Sequence, residues 1–280
     1  MKIHLAAIDL DGTLLNSAKQ VTGATAAILR DARKTHGLRV VLASARPPRS
    51  TLPFYRQLDL DTPMINYNGA LVYDPPSRNV LLHRPLPLEV ARALAASARK
   101  HYPPVLVSAE ILDRWFTDRV DAAYQTETAR GYQPDVVGPL DAWLDRPVTK
   151  LLFLGEPPGL MKIVAAFRKE FAHQISMVQT ESFLLQIMHA TVSKEQALRV
   201  VAAEMGLDRG EVMAIGDNAN DVGMLQWAGV GVAMSNAAPE AIAAADYVTD
   251  HHDADGAAKA IHEIIVKGIK VIKRRRQSGG

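Results

Sequence analysis

Two aspartates two residues apart, Asp9 and Asp11, stand where a short apolar run from Ile3 to Ile8 ends, and Gly12 follows them. The run reads as a buried strand. A strand's period of two lets both carboxylates face the same side of a sheet edge, and Gly12 lets the chain turn away without a Cβ penalty. Two anions this close repel each other, and a phosphate ester would add to the repulsion. A divalent cation resolves the conflict, and an all-oxygen ligand set suits Mg2+. One carboxylate can then attack phosphorus while the cation neutralises the phosphoryl oxygens. The plain alternative is an Asp-Gly turn with a second aspartate nearby, and the pair alone does not choose between them.

Three further polar clusters recur at comparable places: Ser44 after a second apolar run, Lys194 at the start of an amphipathic segment, and Asp217, Asn220 and Asp221 after a third run. The elements that must position them follow from periodicity. Val21–His36 has its apolar residues at helical spacing and ends at Gly37. Arg39–Ala43 reads as a strand, Arg49–Leu58 as a helix, and Met64–Ala70 as a short third strand that breaks at Asn68-Gly69, a turn signal. Strand, helix, strand, helix, strand is the signature of parallel βαβ units.

The rhythm changes after Leu71. Val80–His83, Val105–Ser108 and Lys150–Leu154 read as strands, Leu88–Lys100 and Gly159–Phe171 as helices, and Ile175–Gln179 with Phe183–Met188 as a hairpin. Pro75-Pro76, Pro103-Pro104 and the stretch from Pro134 to Pro147 interrupt regular structure. The parallel pattern returns with a helix over Lys194–Met205, N-capped by Ser193, a strand over Glu211–Ile215, strands at Val230–Ala233 and Tyr247–Thr249 around a helix over Pro239–Ala245, and a last helix over Asp255–Lys267. The expected fold is therefore α/β, a Rossmann-like parallel sheet with helices on both faces and an inserted α+β domain. The expected division is a core domain over 1–80 and 189–280, with the insert over 81–188. In such sheets the strand C-terminal ends and adjacent helix N-termini form the ligand crevice, which is where all four clusters fall. A carboxylate nucleophile, a metal site, a hydroxyl donor and a fixed cation are the set that phosphoryl transfer needs.

Composition narrows the classes. The 280 residues carry a formal charge of +2, too small for a dedicated nucleic-acid binder, and no cysteine, which excludes disulfides, thiolate catalysis and cysteine zinc sites. No apolar run approaches about 18 residues, and the chain opens into a core strand rather than a signal peptide, so no membrane role and a cytoplasmic location are expected. The basic end, Lys267, Lys270, Lys273 and Arg274–Arg276, reads as a helix end followed by an unstructured segment. Monomer or homodimer is expected.

Taken together, the motifs Asp9-Leu10-Asp11-Gly12-Thr13, Ala43-Ser44-Ala45-Arg46, Val192-Ser193-Lys194 and Gly216-Asp217-Asn218-Ala219-Asn220-Asp221 resemble those of the haloacid dehalogenase superfamily. The resemblance is to its Cof-type phosphatases with a large α/β cap, and it covers essentially the whole chain. It implies an aspartyl-phosphate formed on Asp9, which is also a Mg2+ ligand. Asp11 is implied as general acid and base, with its backbone carbonyl on the metal. Phosphate would be held by Ser44, by the amides of Leu10 and Ala45, by Lys194 and by Asn220. Asp217 would complete the metal site and Asp221 support it, and Asn68-Gly69 would lie near the substrate pocket.

The implied activity is hydrolysis of a small phosphorylated metabolite, sugar phosphates first, with the insert closing over the crevice and selecting the leaving group. Alternatives on the same scaffold are a sucrose- or mannosylglycerate-phosphate type of phosphatase and a phosphomutase; a non-catalytic metabolite-binding protein is the remaining class. Two stretches depart from the family pattern. Ser44-Ala45-Arg46 replaces Thr-Gly-Arg, keeping the hydroxyl but placing a residue that tolerates positive φ less well than glycine. Glu195 follows the lysine where a small residue is usual, and it is expected to point to solvent. His251-His252-Asp253 has the composition of a metal cluster but reads as an exposed loop, and Trp115, Phe116 and Tyr124 read as core of the insert.

Overall fold

The structure, a computed structural model, describes residues 2–271. The basic segment from Lys273 to Arg276 and the stretch after it lie outside the described residues, and no helix among those described is long and apolar enough to cross a membrane. The chain forms two compact units, Met1–Leu82 together with Ser193–Gly280, and His83–Val192.

In the first unit β1 (Leu5–Ile8) is buried along its length, and α1 (Gly23–His36) starts at Thr22, whose side chain accepts a hydrogen bond from the Thr25 amide. β2 (Arg39–Leu42) follows, then α2 (Pro48–Gln57), which opens on a proline where a missing N–H leaves nothing unpaired. β3 (Met64–Asn66) meets β2's end at a bridge between Ala43 and Ile65, then pairs antiparallel with β4 (Leu71–Asp74), beside which β5 (Asn79–His83) adds a third strand. The expected strand over Met64–Ala70 thus ends at Asn66. Tyr67 and Asn68 have φ of 50° and 56°, and left-handed residues cannot continue a pleated ladder.

The second unit runs through α3 (Leu88–His101), β6 (Leu106–Ile111), β7 (Arg114–Thr117), the short α4 (Glu127–Gly131), β8 (Val136–Val137), β9 (Lys150–Leu154), α5 (Pro157–Glu170), β10 (Ile175–Glu181) and β11 (Leu184–His189). Its six strands lie in the order β10-β11-β9-β6-β7-β8, antiparallel except for β7 with β8. Alternate residues of the sheet, among them Val107, Ala109, Leu151 and Phe153, share a core with Leu94 and Ala98 of α3 and Ile163 and Phe167 of α5. Phe116 belongs to this core. Trp115 is half-buried and donates its indole N–H to Ser108, while Tyr124 stacks on Phe183 beside a smaller apolar cluster.

The first unit resumes with α6 (Lys194–Glu204), β12 (Val212–Gly216), α7 (Val222–Trp227), β13 (Val230–Ala233), α8 (Pro239–Ala244), β14 (Tyr247–Val248) and α9 (Gly256–Ile261), which continues as a wider turn over His262–Val266. Five strands form a wholly parallel sheet in the order β14-β13-β12-β1-β2. Alternation divides it into two faces. Ala6, Ile8, Val40, Leu42, Met213 and Ile215 pack with residues of α1 and α9, while Leu5, Ala7, Val41, Val212 and Ala214 pack with α6, α7 and α8. From β1 the chain moves to β2 on one side and later to β12 on the other, so the strand order reverses beside β1, the usual place for a ligand crevice.

Phe167 is fully buried and meets Phe153 and Phe171 edge-on, with centroids 5.3 and 5.6 Å away. Phe167→Ala should lower unfolding stability by about 3–5 kcal/mol. Met161→Ala on the same helix, at a site 71% exposed, should change it by less than about 0.5 kcal/mol. Urea unfolding followed by circular dichroism checks both.

Candidate active site

The first acidic motif occupies the turn that ends β1. The Asp9 amide donates to the Ile215 carbonyl at 3.0 Å, and the amides of Leu14 and Leu15 fold back onto the Leu10 carbonyl at 3.1 and 2.9 Å. Gly12 sits in this turn with φ +81°, and a Cβ there would lie 2.4 Å from Asp217 Oδ2. Glycine is required on both counts. Close backbone approach is what allows the motif after β12 to bring its carboxylate against the motif after β1. Thr13 completes the contact, donating from Oγ1 to Asp217 Oδ1 at 2.9 Å.

Lys194 is the centre of the cluster. It opens α6, whose N-cap Ser193 accepts from the Gln196 amide, and its side chain is fully buried. Nζ donates to Asp9 Oδ1 at 2.5 Å and to Asp221 Oδ1 at 2.6 Å. Burial pushes the ammonium toward deprotonation, but Asp221 and then Asp9 outweigh it and hold its pKa above the ordinary lysine value. Asp221 is fully committed. Its Oδ2 accepts the amides of Asp217 and Asn218 at 3.0 and 3.1 Å, which fixes the loop after β12. Asp9 is raised well above the ordinary carboxylate value, chiefly by burial, with Lys194 opposing and Asp221 and Asp217 adding to the rise. Asp217 is raised by burial, relieved in part by the Thr13 hydrogen bond.

Asp11 points into a different environment. Arg46 grips it with two charge-assisted hydrogen bonds, Nε to Oδ2 and Nη2 to Oδ1, both 2.7 Å, and Lys19 Nζ adds a third at 2.6 Å. Partial burial raises its pKa, but Arg46 and then Lys19 overcome this and hold the carboxyl down at about 2. Ser44 is buried at the end of β2, its Oγ accepting from the Arg46 amide at 3.1 Å. Ala45 is not among the positive-φ residues, so alanine is unstrained where the family pattern has glycine. Among the described residues the amides of Leu10 and Ala45 donate to no protein acceptor.

Asn68 and Gly69 reach the same end of the sheet. Asn220 Nδ2 donates to Asn68 Oδ1 at 2.9 Å. Gly69 has φ +99°, and a Cβ there would lie 2.2 Å from the Ser193 carbonyl, so it lies directly against the start of α6.

Several participants were not assigned from sequence. Arg46 stood inside a quoted motif without a role. Thr13 likewise lies inside a motif without a role, while Lys19 and Asn236 carry no local signal; Asn236 Nδ2 donates to the Gly12 carbonyl at 2.8 Å. Glu195 lies at the surface with a quarter of its side chain exposed, accepting from Arg199 Nε and Nη2 at 2.9 and 2.6 Å and lying against Gly223. His251, His252 and Asp253 form an exposed turn, and ligand atoms of the three lie within 4.8 Å of one another. His251 caps the turn by accepting the Asp253 amide, and the other two tether the segment after β1. His252 Nδ1 pairs with the Leu15 carbonyl at 2.9 Å, and Asp253 accepts from the Ser17 amide and hydroxyl, both at 2.7 Å.

The second group whose ligand atoms fall within 4.8 Å of one another is Asp9, Asp217 and Asp221. Three carboxylates there face one ammonium. The donors are all hard oxygens and the local charge is deficient in cation, so the residues fit a divalent metal such as Mg2+ better than a thiophilic one.

A parallel sheet whose strand ends gather these acids around a buried lysine defines an α/β enzyme core built for anionic substrates. Residues 6–261 match the haloacid dehalogenase-like hydrolase family, and the chain belongs to it as a haloacid dehalogenase-like phosphatase. It is 32% identical to a Bacillus subtilis protein named "Putative phosphatase YxeH", over 94% of this chain and 98% of that one. It is 29% identical to the B. subtilis 5-amino-6-(5-phospho-D-ribitylamino)uracil phosphatase YitU, over 94% and 97%. A crystal structure of a haloacid dehalogenase-like hydrolase from Bacteroides thetaiotaomicron matches with a TM-score of 0.85 at 30% identity, covering 94% of this chain and all of that one.

Lys194→Ala should destabilise the fold by about 3–5 kcal/mol at pH 8, because two buried carboxylates lose their counter-charge. Asp9, already raised by burial, then loses the group that opposes the rise and binds a proton more readily than in the unfolded chain, so the penalty should shrink as pH falls. A penalty independent of pH between 8 and 5 in thermal unfolding would contradict this. Asp11 gives the opposite sign. Its folded pKa lies below the ordinary value of 3.8, so the stability it contributes is present above about pH 4 and fades toward about pH 2. The stability difference between wild type and Asp11→Asn should therefore close over that window.

Proposed function

We propose that the protein hydrolyses small phosphate monoesters in two steps through an aspartyl-phosphate on Asp9, with Mg2+ as the metal. The observation that carries this reading is the buried Asp9–Lys194–Asp221 contact. It puts a carboxylate with an orienting cation at the sheet's ligand-binding end. The carboxylates of Asp9 and Asp217 and the backbone carbonyl of Asp11 would hold Mg2+, with Asp221 supporting them through Lys194 and the Asp217 amide. When bound, Mg2+ neutralises phosphoryl oxygens and lowers the repulsion that Asp9 meets on approaching phosphorus.

In the first step an Asp9 carboxylate oxygen attacks phosphorus, the bond from phosphorus to the leaving oxygen breaks, and Asp11 delivers a proton to that oxygen. In the second, Asp11 takes a proton from water, the water oxygen attacks the phosphoryl group, and Asp9 and inorganic phosphate are released. The clasp by Arg46 and Lys19 keeps Asp11 ionised but weakly basic, so its turn as base requires the clasp to relax. Its acid form requires that clasp to loosen when substrate enters. Lys194, the Ser44 hydroxyl, Asn220 and the amides of Leu10 and Ala45 bear the charge of the phosphoryl oxygens.

The proposed substrates are small phosphorylated metabolites with a hydroxylated carbon chain, sugar phosphates first, and the His83–Val192 unit is assigned the part of cap domain. The ribityl phosphate in the name of the YitU relative supports that class.

Purified protein should release phosphate from p-nitrophenyl phosphate when Mg2+ is present and lose that activity in EDTA. Asp9→Asn should reduce release to background, and Asp11→Asn should reduce it by about 10²–10⁴-fold. Undiminished release by Asp9→Asn ends the nucleophile assignment. A panel of sugar and polyol phosphates tests the substrate class, and isomerisation without phosphate release would identify a mutase instead.

A further inference from the structure

The loop joining β13 to α8 touches both acidic loops without contributing a ligand to either. The Met234 amide donates to the Gly216 carbonyl at 3.2 Å and the Ala238 amide to the Asp217 carbonyl at 2.8 Å, so both ends of the loop are pinned to the end of β12. Between them, Asn236 reaches across to the other motif and donates from Nδ2 to the Gly12 carbonyl at 2.8 Å. Its Oδ1 accepts the His252 amide at 3.0 Å, which orients the carboxamide and assigns its two ends.

His252 in turn pairs through Nδ1 with the Leu15 carbonyl, and its neighbour Asp253 holds Ser17. The segment from Gly12 to Ser17 is therefore fastened at three points to the chain that follows β13.

A second link between the acidic loops, Thr13 to Asp217, occupies a carboxylate oxygen of the cluster itself. The Asn236 link occupies none. It can keep the loops at a fixed separation while Asp9 and Asp217 remain available to a cation. We propose that Asn236 is a positioning residue that sets the spacing of the Asp9–Gly12 and Gly216–Asp217 loops, and so the affinity of the site for a divalent cation. This rests on the reading of those acids as a metal site, and outer contacts that orient ligands typically change metal affinity by about 10–100-fold when removed.

The experiment is a calorimetric Mg2+ titration of wild type, Asn236→Ala and Asn236→Asp, with p-nitrophenyl phosphate hydrolysis measured in parallel at limiting and saturating Mg2+. Asn236→Ala should bind Mg2+ about tenfold or more weakly, with KM for the ester unchanged and kcat recovering at saturating metal. Asn236→Asp keeps the shape and the acceptor for His252 but loses the donor to Gly12. It should also weaken Mg2+, although an added negative charge acting through space alone would tighten it. Affinity unchanged in Asn236→Ala, or tightened in Asn236→Asp, overturns the proposal and leaves the phosphatase reading standing. Wild-type protein that neither binds Mg2+ nor releases phosphate overturns both.

Discussion

One buried ammonium governs the geometry of this core. Lys194 is held by two carboxylates from opposite ends of the sequence, Asp9 after the first strand and Asp221 after the twelfth. Burying an unpaired ammonium or an unpaired carboxylate is strongly unfavourable, so each of the three groups is tolerable only where the other two are. That mutual dependence fixes the start of α6 against the ends of β1 and β12. It explains why Gly69 must be a glycine: the backbone before Lys194 runs directly against it.

The charge count leaves the arrangement unfinished. Asp217 is a third acid beside the same lysine, and burial together with its neighbours raises Asp9 and Asp217 above their ordinary values. A fold gains no stability from such a deficit of cation, and sites of this kind are where chemistry is done. Asp11, only two residues from Asp9, lives under opposite rules because Arg46 and Lys19 surround it with positive charge. Two carboxylates on one turn are thus driven in opposite directions by their surroundings.

The scaffold that permits this is a parallel sheet buried on both faces, with its polar residues confined to the strand ends. The second unit meets a separate requirement. Its mixed sheet packs against two helices around an aromatic core that includes Phe153 and Phe167.

The sequence by itself determined the parts that depend on local periodicity. Alternating and continuous apolar runs disclosed the parallel strands, helical spacing and capping residues disclosed α1 and α6, and four short polar motifs at strand and helix ends disclosed Asp9, Ser44, Lys194 and Asp217. Those signals lie within a few residues of one another, and each has a physical cause in pleat, helix pitch or capping. Strands such as β7 and β8 carry too few residues for a period to register, and β3 stops short of its apolar run at two left-handed residues that leave no mark in composition. Only the tertiary structure decided the long-range contacts. Arg46 meets Asp11 across 35 positions, Thr13 meets Asp217 across 204, and Asn236 meets Gly12 across 224. No local pattern encodes which distant carbonyl or carboxylate an arginine, threonine or asparagine will find. That is settled when packing of the sheet brings the strand ends together and every buried polar atom there must acquire a partner.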